Sequence, residues 1–153
     1  MHIQGSCYKN SSSSVTWNTA KTSCEALGSK LAMVKSQSEL QALVQKVRQD
    51  VWIGLHRDPR DKSRWIWVDG TRVSYFHWYK GEPNNSGGNE DCGYMFPPAG
   101  KWNDAPCYSS HHYLCETNGK ETLKIVTKRK KLPMMTNMTC VFSTEDKIGR
   151  AHV

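Results

Sequence analysis

Between Glu82 and Cys107 the chain reads Glu82-Pro83-Asn84, then Glu90-Asp91-Cys92, then Trp102-Asn103-Asp104, then Cys107. Glu82, Glu90 and Asp104 supply carboxylates, and Asn84 and Asn103 supply carboxamides. These are hard oxygen donors, the ligand type that Ca²⁺ selects. A carboxamide has a second property, because its NH₂ can donate while its oxygen faces a metal. A site with both properties can bind a metal and a sugar diol together. Glu82 or Asp104 alone would read as a solvated loop acid; the set in this spacing points to ligation.

The same residues carry a resemblance. A Glu-Pro-Asn triplet, a Glu two residues before a cysteine and a Trp-Asn-Asp triplet, in this order, resemble the Ca²⁺ site of C-type lectin carbohydrate-recognition domains. Trp52-Ile53-Gly54-Leu55 is similar to the core strand of that family, Trp65-Ile66-Trp67-Val68-Asp69-Gly70 to its next strand and turn, and Tyr113-Leu114-Cys115-Glu116 to its closing strand. The likeness runs from about Gly5 to Thr117. It implies an α+β fold of two helices, short antiparallel strands and a long Ca²⁺-binding loop, stapled by disulfides.

The resemblance also implies roles. Glu82, Asn84, Glu90, Asn103 and Asp104 are expected to bind one Ca²⁺ and, through it, two vicinal hydroxyls of a sugar. Glu-Pro-Asn, as opposed to Gln-Pro-Asp, accompanies mannose, N-acetylglucosamine, glucose and fucose in that family. The Glu82–Pro83 bond is cis there when Ca²⁺ is bound. Asp58, Asp61, Asn85 and Asp91 could build an auxiliary metal site as in many relatives, but Arg57 stands near where an acid is expected, so a second Ca²⁺ stays open. Cys24 is expected to pair with Cys115 and Cys92 with Cys107. On the chain-entropy model the long loop contributes about 4 to 5 kcal/mol and the short one about 3 kcal/mol. Cys7 has no upstream partner here, and a Cys7–Cys140 bond, an intermolecular bond and two free thiols all remain open.

Several elements must position these donors. Ala20, Cys24 and Leu27 share a helical face from about Thr16, and Gly28 can end that helix. Ser36 and Glu39 form a capping-box pattern for a second helix, with Leu40, Leu43, Val44 and Val47 as its buried stripe. From Val51 onward the pattern becomes short strands: 51–55, 64–68, 93–96 and 112–116, with a turn signal at Asp69-Gly70. The Gly- and Pro-rich stretch between them reads as a long functional loop. His111 and His112 are adjacent, so on a strand they face opposite ways and do not make a zinc pair. Trp102 reads as support for the loop.

The chain has 153 residues, six cysteines and a formal charge of +7. That length suits one domain, here 1–117, followed by a tail, 118–153. Six cysteines without a Cys-x-x-Cys pair favour disulfides over zinc and an extracellular setting, either secreted or as an ectodomain. No signal sequence opens the chain and no apolar run reaches membrane-spanning length. The positive charge gathers in the tail at Lys120, Lys124, Lys128, Arg129, Lys130 and Lys131, while the loop is acidic, so nucleic acid is not expected. The tail is expected to be loosely ordered, with 123–126 a candidate strand. Asn10, Asn84 and Asn137 open N-glycosylation sequons, and a glycan on Asn84 would block its amide.

No nucleophile–base pair stands out, so the reading is a binding module: a lectin for mannose-type glycans, with host defence one setting. The alternative is a protein-ligand receptor on the same fold. Any oligomer would form through further sequence or through Cys7 or Cys140.

Overall fold

The computed structural model describes residues 5–118 and 139–142. Thr16 caps helix α1 (Trp17–Ala26): its backbone is extended and its side chain accepts from Thr19 N. A cap of this kind contributes about 1 kcal/mol. Leu27 N and Ser29 N both return to Cys24 O, and Gly28 takes a φ of 77° that a side chain disfavours, so α1 stops there. Trp17, Ala20 and Cys24 form its buried face.

Ser36 caps α2 (Gln37–Val44) through Glu39 N at 3.1 Å. The Glu39 carboxylate reaches back to Lys35 N at 2.8 Å, one residue earlier than the expected capping box. The helix also ends before the full expected stripe. Beyond it Lys46 N bonds Leu43 O and Val47 N bonds Val44 O. These tighter turns still carry Val47 into the core, where it is buried with Leu40 and Leu43.

The strands are β1 (Gly5–Asn10), β2 (Lys30–Leu31), β3 (Val51–Asp58), β4 (Asp61–Trp67), β5 (Cys92–Phe96), β6 (Lys101–Ala105), β7 (His112–Asn118) and β8 (Thr139–Phe142). Their order is β6-β5-β3-β7-β1-β8, with β2 on β7 and β4 on β3. The four predicted strands are β3, β4, β5 and β7. β1 and β2 are too polar or too short to show a pattern. β6 holds the Trp102-Asn103-Asp104 triplet, which composition alone assigns to the loop. The pairing of β3 with β7 is parallel, so the sheet is mixed where antiparallel strands alone were expected.

The core is built on aromatic and β-branched strand residues. Trp52, Ile53, Leu55, Trp67, Met95, Trp102 and Leu114 are buried. Gly54 lies close under Leu31 and Val68, where a Cβ would come within 2.8 Å of Val68 Cγ2.

Three disulfides close the molecule: Cys24–Cys115, Cys92–Cys107 and Cys7–Cys140. The first two are the pairs the resemblance implies. The third settles the open choice for Cys7. β8 lies antiparallel on β1 with Cys7 directly opposite Cys140, so neither is left for a bond between chains. Residues 139–142 thus join the sheet from within the segment expected to be a tail. The candidate strand at 123–126 lies outside the described residues. Among the described residues no helix is long and apolar enough to cross a membrane.

Candidate functional site

β6 is the fixed wall of the site. Trp102 is fully buried, with Trp67, Tyr75 and Trp78 against its ring at 5.5–6.1 Å. That anchor leaves Asn103 and Asp104 at a set height on the strand. In the β5/β6 register Asn103 faces Tyr94, Asp104 faces Gly93 and Ala105 faces Cys92. The Cys92–Cys107 bond then ties the ends of the two strands together.

The Glu82–Asn84 segment is brought to that wall by backbone bonds. Trp102 N donates to His77 O and Tyr79 N donates to Trp102 O, both at 2.9 Å. Glu82 N closes a turn on Tyr79 O at 2.9 Å. The Glu82–Pro83 peptide bond is cis. Beyond it Asn84 N and Asn85 N donate to Asp104 Oδ1 and Oδ2, at 3.3 and 2.8 Å. Asn85 takes a left-handed conformation (φ 48°), which Asn tolerates better than most residues, and its Oδ1 accepts from Glu90 N at 2.9 Å. Ser86 N donates to Glu90 Oε1 at 2.8 Å and to Asn84 Oδ1 at 3.2 Å. Asn84, Glu90 and Asp104 are therefore joined in one hydrogen-bonded loop, which Glu82 enters through its turn on Tyr79.

The electrostatics agree with convergence. Burial pushes the Glu82 carboxyl above its usual range, and the negative charges of Asp104 and Glu90 push it the same way. Asn103 Nδ2 donates to the Tyr94 hydroxyl at 3.1 Å, while its Oδ1 is buried with no hydrogen-bond partner. A buried carbonyl oxygen without a partner is costly unless something accepts its lone pairs. An oxygen-seeking cation answers both features, so the donor set fits Ca²⁺. Among the described residues no group of three or more His, Cys, Asp or Glu is placed to hold a metal by itself. Any cation here would draw on the carboxamides as well.

Each of the four auxiliary residues is engaged by a protein partner, and Asp58 and Asp61 face each other across β3 and β4. Asp58 Oδ1 accepts from Arg60 N and Arg60 Nε. Asp61 is engaged by Ser63 and Arg64. Asn85 serves Glu90, as described. Asp91 pairs with Lys62 and with Arg57.

Arg57 is the residue whose importance sequence reasoning underrated. Its guanidinium is nearly buried and bonds Glu90 O at 3.0 Å, Lys62 O at 3.0 Å and Asp104 Oδ2 at 3.2 Å. Asp91 lies 3.6 Å away and the Trp65 ring 4.6 Å below. A permanent cation thus pairs with Asp91, one of the four residues considered for a second metal. Its position in the sequence, in place of an acid, was the available signal.

Comparison with known proteins agrees with this architecture. The Lectin C-type domain model matches residues 13–117. C-type lectin BML-2 of Bungarus multicinctus is 41% identical over 122 residues, 73% of this chain and 77% of its own length. Hepatic lectin of Gallus gallus is 39% identical over 118 residues, 75% of this chain but only 56% of its own length. Among solved structures, the cow C-type carbohydrate-recognition domain of CD23, determined in the presence of GlcNAc2Man3 oligosaccharide, superposes with a TM-score of 0.70 at 34% identity, covering 78% of this chain and 92% of that one. A calcium-independent type II antifreeze protein superposes with a TM-score of 0.67 at 30% identity, covering 77% and 89%. The fold and family are those of binding domains, not enzymes. With the matched sequence, the mixed sheet and the stapled loop in agreement, the chain belongs to the C-type lectin domain family.

Proposed function

We propose that this domain binds mannose-type sugars in a Ca²⁺-dependent way at the loop of Glu82, Asn84, Glu90, Asn103 and Asp104. The observation that carries the reading is the buried, partnerless Asn103 Oδ1 beside the mutually repelling carboxylates of Glu82, Glu90 and Asp104. Bound Ca²⁺ would supply a Lewis-acid centre with coordination positions left for two vicinal hydroxyls. The chain's own residues set which hydroxyls fit. Glu82 and Glu90 accept hydrogen bonds from the sugar hydroxyls, and Asn84 donates an NH to a hydroxyl lone pair. Asn103 shares its NH₂ with Tyr94, which fixes the amide so that its oxygen points away from that hydroxyl. Asp104 holds the loop through Asn84 N and Asn85 N, and its Oδ1 keeps the greater acceptor capacity because Arg57 sits on Oδ2.

Three disulfides suit an extracellular setting, and recognition of glycans on cells or microbes is the corresponding role. A single exposed polar site of this kind binds weakly, so linked copies would supply avidity. A second reading, a protein-ligand module that needs no metal, draws on Arg57, a built-in cation that already holds Asp104 and Asp91.

The test is retention of the disulfide-bonded protein on immobilised mannose and on immobilised galactose, in Ca²⁺ and then in chelator. Retention on mannose alone, released by chelator, is expected. The double substitution Glu82→Gln with Asn84→Asp should reverse the preference towards galactose. No retention of a multivalent sample on either sugar would sink the sugar reading in favour of the protein ligand.

A further inference from the structure

Of the sequons at Asn10, Asn84 and Asn137, the proposed function uses only the second, and uses it as a ligand. Asn137 lies outside the described residues. Asn10 and Asn84 are both exposed, but their surroundings differ. Asn84 Oδ1 accepts from Ser86 N at 3.2 Å, which folds that sequon back on itself, and Asp104 holds Asn84 N and Asn85 N. A glycan at the Asn84 amide would stand in the donor loop.

Asn10 is the last residue of β1. In the sheet order β7, β3 and β5 lie between β1 and β6, a lateral separation of roughly 19 Å at the usual strand spacing. A glycan at Asn10 therefore leaves the donor loop open. Ser11 is tied down, its Oγ accepting from Tyr113 N and donating to Ser13 O, both at 2.9 Å. Ser12, the hydroxyl residue of the sequon, is exposed in the bend that follows. Asn10 Nδ2 donates to Lys46 O at 3.2 Å, which uses one of its two hydrogens. The other is the hydrogen a sugar can replace, so the bond to Lys46 survives the modification. Asn10 also borders a cavity of about 300 Å³ that Leu27, Tyr113 and Cys115 line. That volume is at the small end for a ligand site, room for one pyranose and not for a chain. Leu27 and Tyr113 are only half-buried, so the cavity leaves apolar surface uncovered beside the acceptor amide.

We propose that Asn10 is a modification site: it carries an N-linked glycan whose first N-acetylglucosamine lies over the Leu27–Tyr113 cavity. In the transfer the Asn10 amide nitrogen bonds the anomeric carbon of a lipid-pyrophosphate-linked oligosaccharide. The lipid pyrophosphate leaves with the electron pair of the broken C–O bond, and one amide proton passes to a base of the transferase. The product keeps one N–H for Lys46 O. The compartment is the oxidising secretory one that three disulfides suit. This inference rests on that setting and not on the sugar site.

The test is secretion of the full chain from a eukaryotic cell behind a secretion leader, then release of N-glycans by glycosidase in heavy-oxygen water and tryptic mapping. Cleavage after Lys9 and Lys21 puts Asn10 in a peptide with no other sequon. That peptide should carry the heavy-oxygen label, and the peptide containing Asn84 should not. Ser12→Ala should abolish the label at Asn10, and Ser12→Thr should keep it. Both variants change an exposed side chain and leave the Asn10–Lys46 bond intact, so folding is not at stake. Wild type trimmed to its first sugar at Asn10 should melt about 2 to 4 °C above Ser12→Ala, the shift expected when a small apolar contact is covered. An unlabelled Asn10 in the secreted, disulfide-bonded protein would overturn the modification. A labelled Asn10 with equal melting temperatures would overturn the seat of the first sugar over the cavity. Label at Asn84 would count against the donor loop as a sugar site and leave Asn10 untouched.

Discussion

Arg57 and Asp104 form a pair that is almost out of water: the guanidinium is 10% exposed and the carboxylate not at all. Removing one partner of such a pair strands the other, at a cost of about 3 to 5 kcal/mol. Arg57→Met should therefore destabilise the metal-free domain strongly. In Ca²⁺ a second cation would stand at the same carboxylate, so the loss should shrink. The measurement is the melting temperature with chelator and with Ca²⁺: the gain on adding Ca²⁺ should be larger in Arg57→Met than in wild type. Equal gains would show that Arg57 and the metal do not share Asp104. At this scale the sequence made the donor types legible: Asn84, Glu90 and Asp104 share hydrogen-bonded neighbours, and Glu82 feels the charges of Asp104 and Glu90. It was less informative about charge balance. Which acid meets which cation depends on the β3–β5 register and on how β4 carries Lys62, and neither has a local signature.

The donor loop owes its order to two strands and a close approach between them and β3. Gly93 on β5 lies against Leu55 of β3, where a Cβ would fall 2.5 Å from Leu55 Cδ2 and 3.0 Å from its Cβ. Leu55 is fully buried and has nowhere to withdraw. Gly93 also faces Asp104 across the β5/β6 ladder. Gly93→Ala should thus push β5 off β3, cost about 1 to 3 kcal/mol as overpacking does, and displace Asp104 with it. Calorimetry gives the stability, and Ca²⁺ titration should show weaker binding; an unchanged melting temperature would mean that Leu55 yields. The helices and the four apolar strands were legible because their patterns are local: a capping Ser or Thr, a buried stripe, alternating Trp and Ile. β6 was not, because Lys-Trp-Asn-Asp-Ala has no strand pattern of its own and becomes a strand only through pairing with β5. β8 was hidden for the same reason, its place being fixed by β1 and the Cys7–Cys140 bond.

Over the whole molecule β7 stands at the centre of the sheet, flanked by β3, β1 and β2, and there the fold carries a buried acid. Glu116 lies between Tyr8 of β1 and Lys30 of β2, directly after the Cys24–Cys115 staple. It is 8% exposed, and burial holds its carboxyl near pH 8 even though Met33 N donates to it at 3.1 Å. Glu39 pushes the same way, while Lys30 and Lys35 oppose it. The folded protein therefore keeps a proton that the unfolded chain releases near pH 4.5. Stability from this group is complete below that pH and is lost as pH rises through about 8. Asp69 works in the opposite sense. Lys35 and Thr71 hold its carboxyl near pH 2 against its partial burial, so its contribution is present above pH 4 and lost as pH falls towards 2. The two together place the greatest stability in mildly acidic solution. Glu116→Gln keeps the shape and a hydrogen-bond acceptor for Met33 N but cannot ionise. In chelator, with disulfides intact, its melting temperature should match wild type near pH 4.5 and exceed it by several degrees at pH 8.5. A variant that was less stable than wild type at every pH would show that the Glu116 carboxylate is an asset to this sheet, and that the alkaline decline has another source.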